Sequence, residues 1–256
     1  MLLRPKDAFV DELFPFLKHT LPMNFPVDIH THQPPQVPGE AIVNCYPETF
    51  SPQEGGWYSV GIHPWYIGAP AVDVSSVLIQ QEHSVIQSEA KNLLSYQQRC
   101  LEAILHHPQV LAVGEAGLDK LADAPMDLQL EVFEYQARLA DEVGKPLVIH
   151  LVRAADELLK LKRELRPAMP WIIHGFRGKA ALAEEYLRHG FYLSFGEKYQ
   201  TEALLATPVD RLLIETDESV VPIEELYQRA AAVRGMCSEE LHKIVSANIG
   251  KVFFKR

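Results

Sequence analysis

Residues 147–174 read LVIHLVRAADELLKLKRELRPAMPWIIH: an apolar run, a stretch of helical period, and a second apolar run. The runs at 147–151 and 171–174 are apolar on both faces, as in strands of a buried parallel sheet. Residues 153–165 between them fit a helix, so strand, helix and strand form one parallel crossover unit. The same alternation extends in both directions. Further strands are expected at 26–31, 41–46, 57–63, 110–115, 191–195 and 211–216. Further helices are expected at 93–106, 126–143, 178–189, 199–206, 222–234 and 238–254, the last opened by the start signal Ser238-Glu239-Glu240-Leu241. Eight strands alternating with helices predict an α/β fold closed into a (β/α)8, or TIM, barrel. The chain's 256 residues match the roughly 250 such a barrel uses, and 47% hydrophobic content excludes disorder.

The first quarter departs from this rhythm. Between His32 and Ala41 lie only the eight residues QPPQVPGE, three of them proline; between Tyr46 and Trp57 lie only the ten residues PETFSPQEGG. A parallel crossover needs roughly ten to twelve residues, usually including a helix, and proline breaks helices. The expectation is a distorted barrel lacking its first two crossover helices. Phe9, Val10, Leu13, Phe14, Phe16 and Leu17 could form a leading helix over 7–19 that covers the flank left bare. No repeat or linker interrupts the chain, which reads as one domain over 1–256, with 1–25 as an N-terminal helical extension.

With 24 basic and 34 acidic residues the net charge is −10, which argues against a protein that coats duplex nucleic acid. It leaves room for an enzyme that handles a short anionic substrate through metal ions. The N-terminus mixes acids among its apolar residues and lacks a small-residue cleavage site, unlike a signal peptide. No apolar run approaches the ~18 residues of a membrane span. Cys45, Cys100 and Cys237, odd in number and widely spaced, suit free thiols. Together these features predict a cytoplasmic protein.

Five histidines, His30, His32, His63, His150 and His174, fall at strand ends. In a barrel the C-terminal strand ends surround the active site, so these distant groups converge there. In Asp28-Ile29-His30-Thr31-His32 the two histidines are two residues apart, face the same side, and can chelate one ion; a plain pair on an exposed strand gives the same pattern. Glu115 closes the fourth apolar run between Gly114 and Gly117; buried without a partner it would be costly, and a cation would keep it ionised. Asp119 reads as a loop-organising acid. His150 and His174 each follow a β-branched run, where a single histidine is commonly a hydrogen-bonded core residue. Asp217, in Leu213-Ile214-Glu215-Thr216-Asp217, is placed to bind metal and to accept the proton of an attacking water. Glu215, on the same side and deeper, is placed either to orient the ligands or to pair with a buried cation. Four histidines and two carboxylates on five strands exceed the ligand set of one ion and suit two ions ~3.5–4 Å apart. Mixed imidazole and carboxylate donors accept Zn, Mn, Mg or Fe.

The ordered elements DIHTH, GIHPW, VGEAGLD, PLVIHLVRA, IIHGFRG, YLSFG and LLIETDES, from Val27 to Phe253, resemble the TatD family of metal-dependent hydrolases, most described as deoxyribonucleases. The resemblance implies a distorted TIM barrel with a dinuclear site. His30, His32, Glu115 and Asp217 would surround one ion and Glu115, His150 and His174 the other, with Glu115 bridging. His63 would contact substrate, and Arg153 would meet a phosphate oxygen. Two departures bear on specificity: HGFRG stands where HCFSG is usual, placing Arg177 near the mouth as a second anion contact or a surface charge. ETDES stands where ETDAP is usual, adding Glu218 beside Asp217.

The expected function is a divalent-metal-dependent phosphodiesterase or deoxyribonuclease that uses a metal-activated water. Asp217 and Glu115 would be its catalytic residues, and single-stranded DNA or a small phosphodiester its substrate. No membrane and no obligate protein partner is expected. Two other readings stand beside it: an amide, ester or lactone hydrolase on the same barrel, and a metal-binding interaction protein with little turnover.

Overall fold

The computed structural model describes residues 25–69 and 83–254, with side chains in the first helix described from residue 92 onward. The strands are β1 (Asp28–Thr31), β2 (Ala41–Cys45), β3 (Trp57–Val60), β4 (Val110–Asp119), β5 (Leu147–Val152), β6 (Trp171–Ile173), β7 (Tyr192–Phe195) and β8 (Leu212–Ile214). All pair in parallel and in sequence order. The sheet closes through a parallel bridge between Thr31 and Asp217, where Asp217 N donates to His30 O (2.9 Å) and His32 N to Asp217 O (3.1 Å). The closing contact thus runs through the chain segments that carry candidate ligands.

The described helices are α1 (His83–Ile104), α2 (Met126–Val143), α3 (Ala155–Leu165), α4 (Ala180–Arg188), α5 (Thr201–Ala206), α6 (Ile223–Arg234) and α7 (Ser238–Phe253). They back the wall from β4 onward. Phe133 of α2 meets Trp171 of β6 edge-on, ring centroids 5.3 Å apart, and both side chains are fully buried. Gly144 ends α2 in the left-handed conformation (φ 68°), and its N–H caps the carbonyl of Asp141. Two buried glutamines of α2 reach into the sheet ends. Gln136 brackets Ile62 through both its N–H and its carbonyl, and Gln129 does the same for Asp119.

Neither β1–β2 nor β2–β3 is joined by an α-helix; a three-residue 3-10 turn, Pro47–Thr49, is the regular element there. The barrel is therefore distorted as the short proline-rich links imply. Val43, Cys45 and Trp57 on this side are half-buried, and Trp57 packs against Phe254 just past α7 at 5.4 Å. The leading helix expected over 7–19 lies outside the described residues.

Strand β4 differs from expectation. It runs to Asp119 instead of ending at Glu115, because its register against β5 shifts between Val113 and Ala116 and pairing then resumes through Val152. Close approach permits this: a Cβ on Gly117 would lie 2.1 Å from the carbonyl oxygen of His150. Glu115 consequently lies within a strand and is carried beneath the barrel mouth. The helix expected at 93–106 begins ten residues earlier, at His83.

Candidate active site

Glu115 is the centre of the site. Only 3% of its side chain is exposed, and its two oxygens face different groups of histidines. Oε2 lies 3.5 Å from His30 Nε2 and 3.3 Å from His32 Nε2, both carried by the end of β1. Oε1 lies 2.6 Å from His174 Nε2, 3.1 Å from His150 Nδ1 and 3.6 Å from His63 Nε2. Asp217, just past β8, brings Oδ1 within 3.9 Å of His30 Nε2 and 3.6 Å of His32 Nε2. The residues singled out in the sequence as ligands are therefore all brought together, with one carboxylate shared between the two sides.

The electrostatics follow from this crowding. Burial alone would raise the Glu115 carboxyl, but His174, His150 and His30 around it hold it well below the usual carboxylate range. Burial would lower His174, yet the carboxylates of Glu115 and Glu215 push it well above the ordinary imidazole value. Burial lowers His63 to about 4, against the pull of Glu115. Its Nδ1 accepts the backbone N–H of Trp65 at 3.2 Å, so the neutral ring carries its proton on Nε2, facing Glu115. Asp217 is raised, first by burial and then by the neighbouring Glu215, with His174 and His30 opposing.

The donor set fits divalent metal. His30 is fully buried, and neither of its ring nitrogens has a hydrogen-bond partner. An unsatisfied buried donor and acceptor cost stability, and a cation held at Nε2 would relieve the acceptor. Ligand atoms lie close enough to share an ion in the groups His30–His32–Asp217, His30–Glu115–His174, His63–Glu115–His150 and His174–Glu215–Asp217. His150 and His174 are each backed by a carboxylate on the ring nitrogen away from Glu115. Asp119 Oδ2 lies 3.0 Å from His150 Nε2, and Glu215 Oε1 3.3 Å from His174 Nδ1. Carboxylates in this position fix the tautomer and orientation of metal-ligating imidazoles.

Asp119 does organise its loop, accepting from Leu121 N at 2.7 Å, but it also orients His150 and takes the indole N–H of Trp65 at 2.7 Å. Glu215 is fully buried and accepts the backbone N–H of Gly175.

Two supporting residues carried no role in the sequence reading. Asn44 of β2 donates to Glu115 Oε2 (3.3 Å) and accepts from Glu115 N (2.9 Å), gripping backbone and side chain together. Asp28 of β1 accepts from His30 N (3.2 Å), Thr216 N (3.1 Å) and Thr216 Oγ1 (2.6 Å), tying β1 to the chain after β8. The available signal was the same for both: a single polar side chain inside or opening an apolar run.

Above the ligands lies a cavity of 790 Å3, lined by Tyr46, His63, Trp65, Arg153, Arg177 and Glu218 among others. Arg153 and Arg177 are exposed, and Arg177 Nη2 lies 3.9 Å from Asp217 Oδ2. Arg153 and Asp217 both hold φ at 57°, a left-handed backbone that side-chain-bearing residues adopt at a cost of about 1–2 kcal/mol. Such strain gathers where a side chain must be aimed.

Residues 48–254 match the family model described as TatD related DNase. The chain belongs to this family. Among curated TatD-type relatives, an uncharacterized metal-dependent hydrolase of Bacillus subtilis, YabD, is 36% identical over 57% of this chain and 66% of its own length. The Schizosaccharomyces pombe deoxyribonuclease Tat-D is 31% identical over 43% of this chain and 38% of its own. The matched segments thus span two thirds or less of these relatives. The crystal structure of the TatD homologue YjjV from Escherichia coli shares the fold, with a TM-score of 0.69 at 19% identity over 91% of this chain and 99% of that one. Family membership places the chain among the TatD-type proteins, of which YabD is named as a metal-dependent hydrolase. Among the described residues no helix is long and apolar enough to cross a membrane.

Proposed function

We propose that the chain is a phosphodiesterase acting on single-stranded nucleic acid, with two divalent ions as cofactor. The observation that carries this reading is the division of Glu115 between two histidine groups beneath a cavity bearing Arg153 and Arg177. His30, His32, Glu115 and Asp217 would hold one ion, and Glu115, His150 and His174 the other. Bound there, such ions lower the pKa of water and polarise phosphoryl oxygens. Asp217, whose Oδ1 lies 3.9 Å from His30 Nε2 and 3.6 Å from His32 Nε2, would accept the proton of the attacking water as general base. His63, with its Nε2 proton directed inward, suits donation to a substrate oxygen; ligation through Nε2 would need the other tautomer, with the proton on Nδ1, which gives up the acceptor for Trp65 N. Arg153 and Arg177 would meet phosphate oxygens through charge-assisted hydrogen bonds. Relatives named as a deoxyribonuclease and as a 3'-5' RNA nuclease support a nucleic-acid substrate.

The test combines elemental analysis of the purified protein with assays on single-stranded oligonucleotides and on small ester and lactone substrates, each with a chelator control. Chelator-sensitive cleavage of oligonucleotides is expected. Turnover of carbonyl substrates alone would replace the phosphodiesterase reading, and stoichiometric metal without turnover of either class would point to a binding protein.

A further inference from the structure

Trp65 stands out at the cavity because it is both exposed and fixed. The residue is 57% exposed, and among the described residues Tyr96 on α1, which does not line the cavity, is the other exposed aromatic. An exposed apolar residue is ordinary on its own. Trp65, however, is tethered at two points: its indole N–H donates to Asp119 Oδ2 at 2.7 Å, and its backbone N–H to His63 Nδ1 at 3.2 Å. With the polar edge of the indole committed, the ring has only π surface to offer a ligand. Asp119 in turn meets His150 at 3.0 Å, and the ring centroids of Trp65 and His63 are 6.2 Å apart, so the platform adjoins the ligand cluster.

The surroundings select the occupant. Tyr46 and Tyr66, packed edge to face at 4.9 Å, line the same cavity beside Trp65, on the side formed by the segments following β2 and β3. Arg153 and Arg177, from the segments following β5 and β6, line the same cavity. Stacking surface together with guanidinium groups is the composition that receives unpaired bases on a phosphate backbone. We infer that Trp65 is a stacking platform for the unpaired nucleobase next to the scissile phosphate, and so sets a preference for single strands. This rests on the phosphodiesterase reading above.

The test compares two substrates of equal length: a single-stranded oligonucleotide and its counterpart with abasic positions around the cleavage site. Trp65→Ala is expected to raise KM for the base-bearing strand roughly 5- to 100-fold more than KM for the abasic strand. Loss of the Asp119 contact acts on both substrates alike and cancels in the ratio. Trp65→Phe, which keeps a ring but loses the N–H, is expected to retain most of the discrimination. Equal KM changes on both substrates, or none on either, would overturn the platform while leaving the phosphodiesterase reading intact. Failure of the unsubstituted protein to cleave any oligonucleotide with metal supplied would overturn that reading and the platform with it.

Discussion

The two parts of the barrel wall differ in what stands behind them. From β4 onward each strand has helical backing, and all ten residues of β4 are buried. From β1 to β3 the links carry no α-helix, and Val43, Cys45 and Trp57 remain half-buried. Yet both parts feed the site. The lightly backed part supplies His30, His32, Asn44 and His63, and the helix-backed part Glu115, His150, His174 and Asp217. What the comparison teaches is that ligand placement follows strand pairing and buried polar contacts at the strand ends. Among the described residues, crossover helices back one part and not the other.

The largest effect should come where the two parts meet. Glu115→Ala removes the group that faces both, and should abolish metal retention and turnover together, as read by elemental analysis and oligonucleotide cleavage. Asp217→Asn should lose roughly 10²- to 10⁴-fold in kcat, the range for removing a general base, while the fold survives. Asparagine tolerates the left-handed backbone that position 217 requires, so the closing bridge to Thr31 is preserved. Full activity of metal-free protein or of Asp217→Asn would break the proposed division of labour.

A smaller effect should separate the two parts by stability. Phe133 is completely buried between α2 and β6, and Phe133→Ala should cost about 3–5 kcal/mol in denaturant unfolding. Val43 faces the side without a crossover helix, and Val43→Ala should cost about 1 kcal/mol or less. Equal costs would mean that the first strands are covered as well as the rest, and would sharpen the question of what residues 1–24 do.

Much of this was legible beforehand, for identifiable reasons. Strands apolar on both faces announce a parallel sheet, and histidines or acids that terminate such runs announce the mouth of a barrel. The missing helices were legible because eight and ten residues rich in proline and glycine cannot hold them. The extension of β4 to Asp119 was not legible, because it depends on a register shift against β5 and a close approach at Gly117. The grips of Asn44 on Glu115 and of Asp28 on Thr216 were hidden for a similar reason. Each joins strands 71 and 188 residues apart in sequence, and a polar residue in an apolar run does not name its partner.

Asp28 gives the subtlest way to probe the seam between the two parts. Burial raises its carboxyl to about 7, with Glu215 adding to the rise, although hydrogen bonds from Thr216 and His30 act against it. An acid raised in the folded state binds a proton there that the unfolded chain has already released between pH ~4 and 7. The folded metal-free protein should therefore lose stability as pH rises through that window, by at most about 1.4 kcal/mol per pH unit from this group. Asp28→Asn keeps an acceptor for the N–H groups of His30 and Thr216 and carries no charge to bury, so it should flatten the slope. Unfolding of metal-free protein followed at several pH values reads the difference. An unchanged slope in Asp28→Asn would mean that the β1–β8 seam holds Asp28 ionised, with the hydrogen bonds outweighing burial.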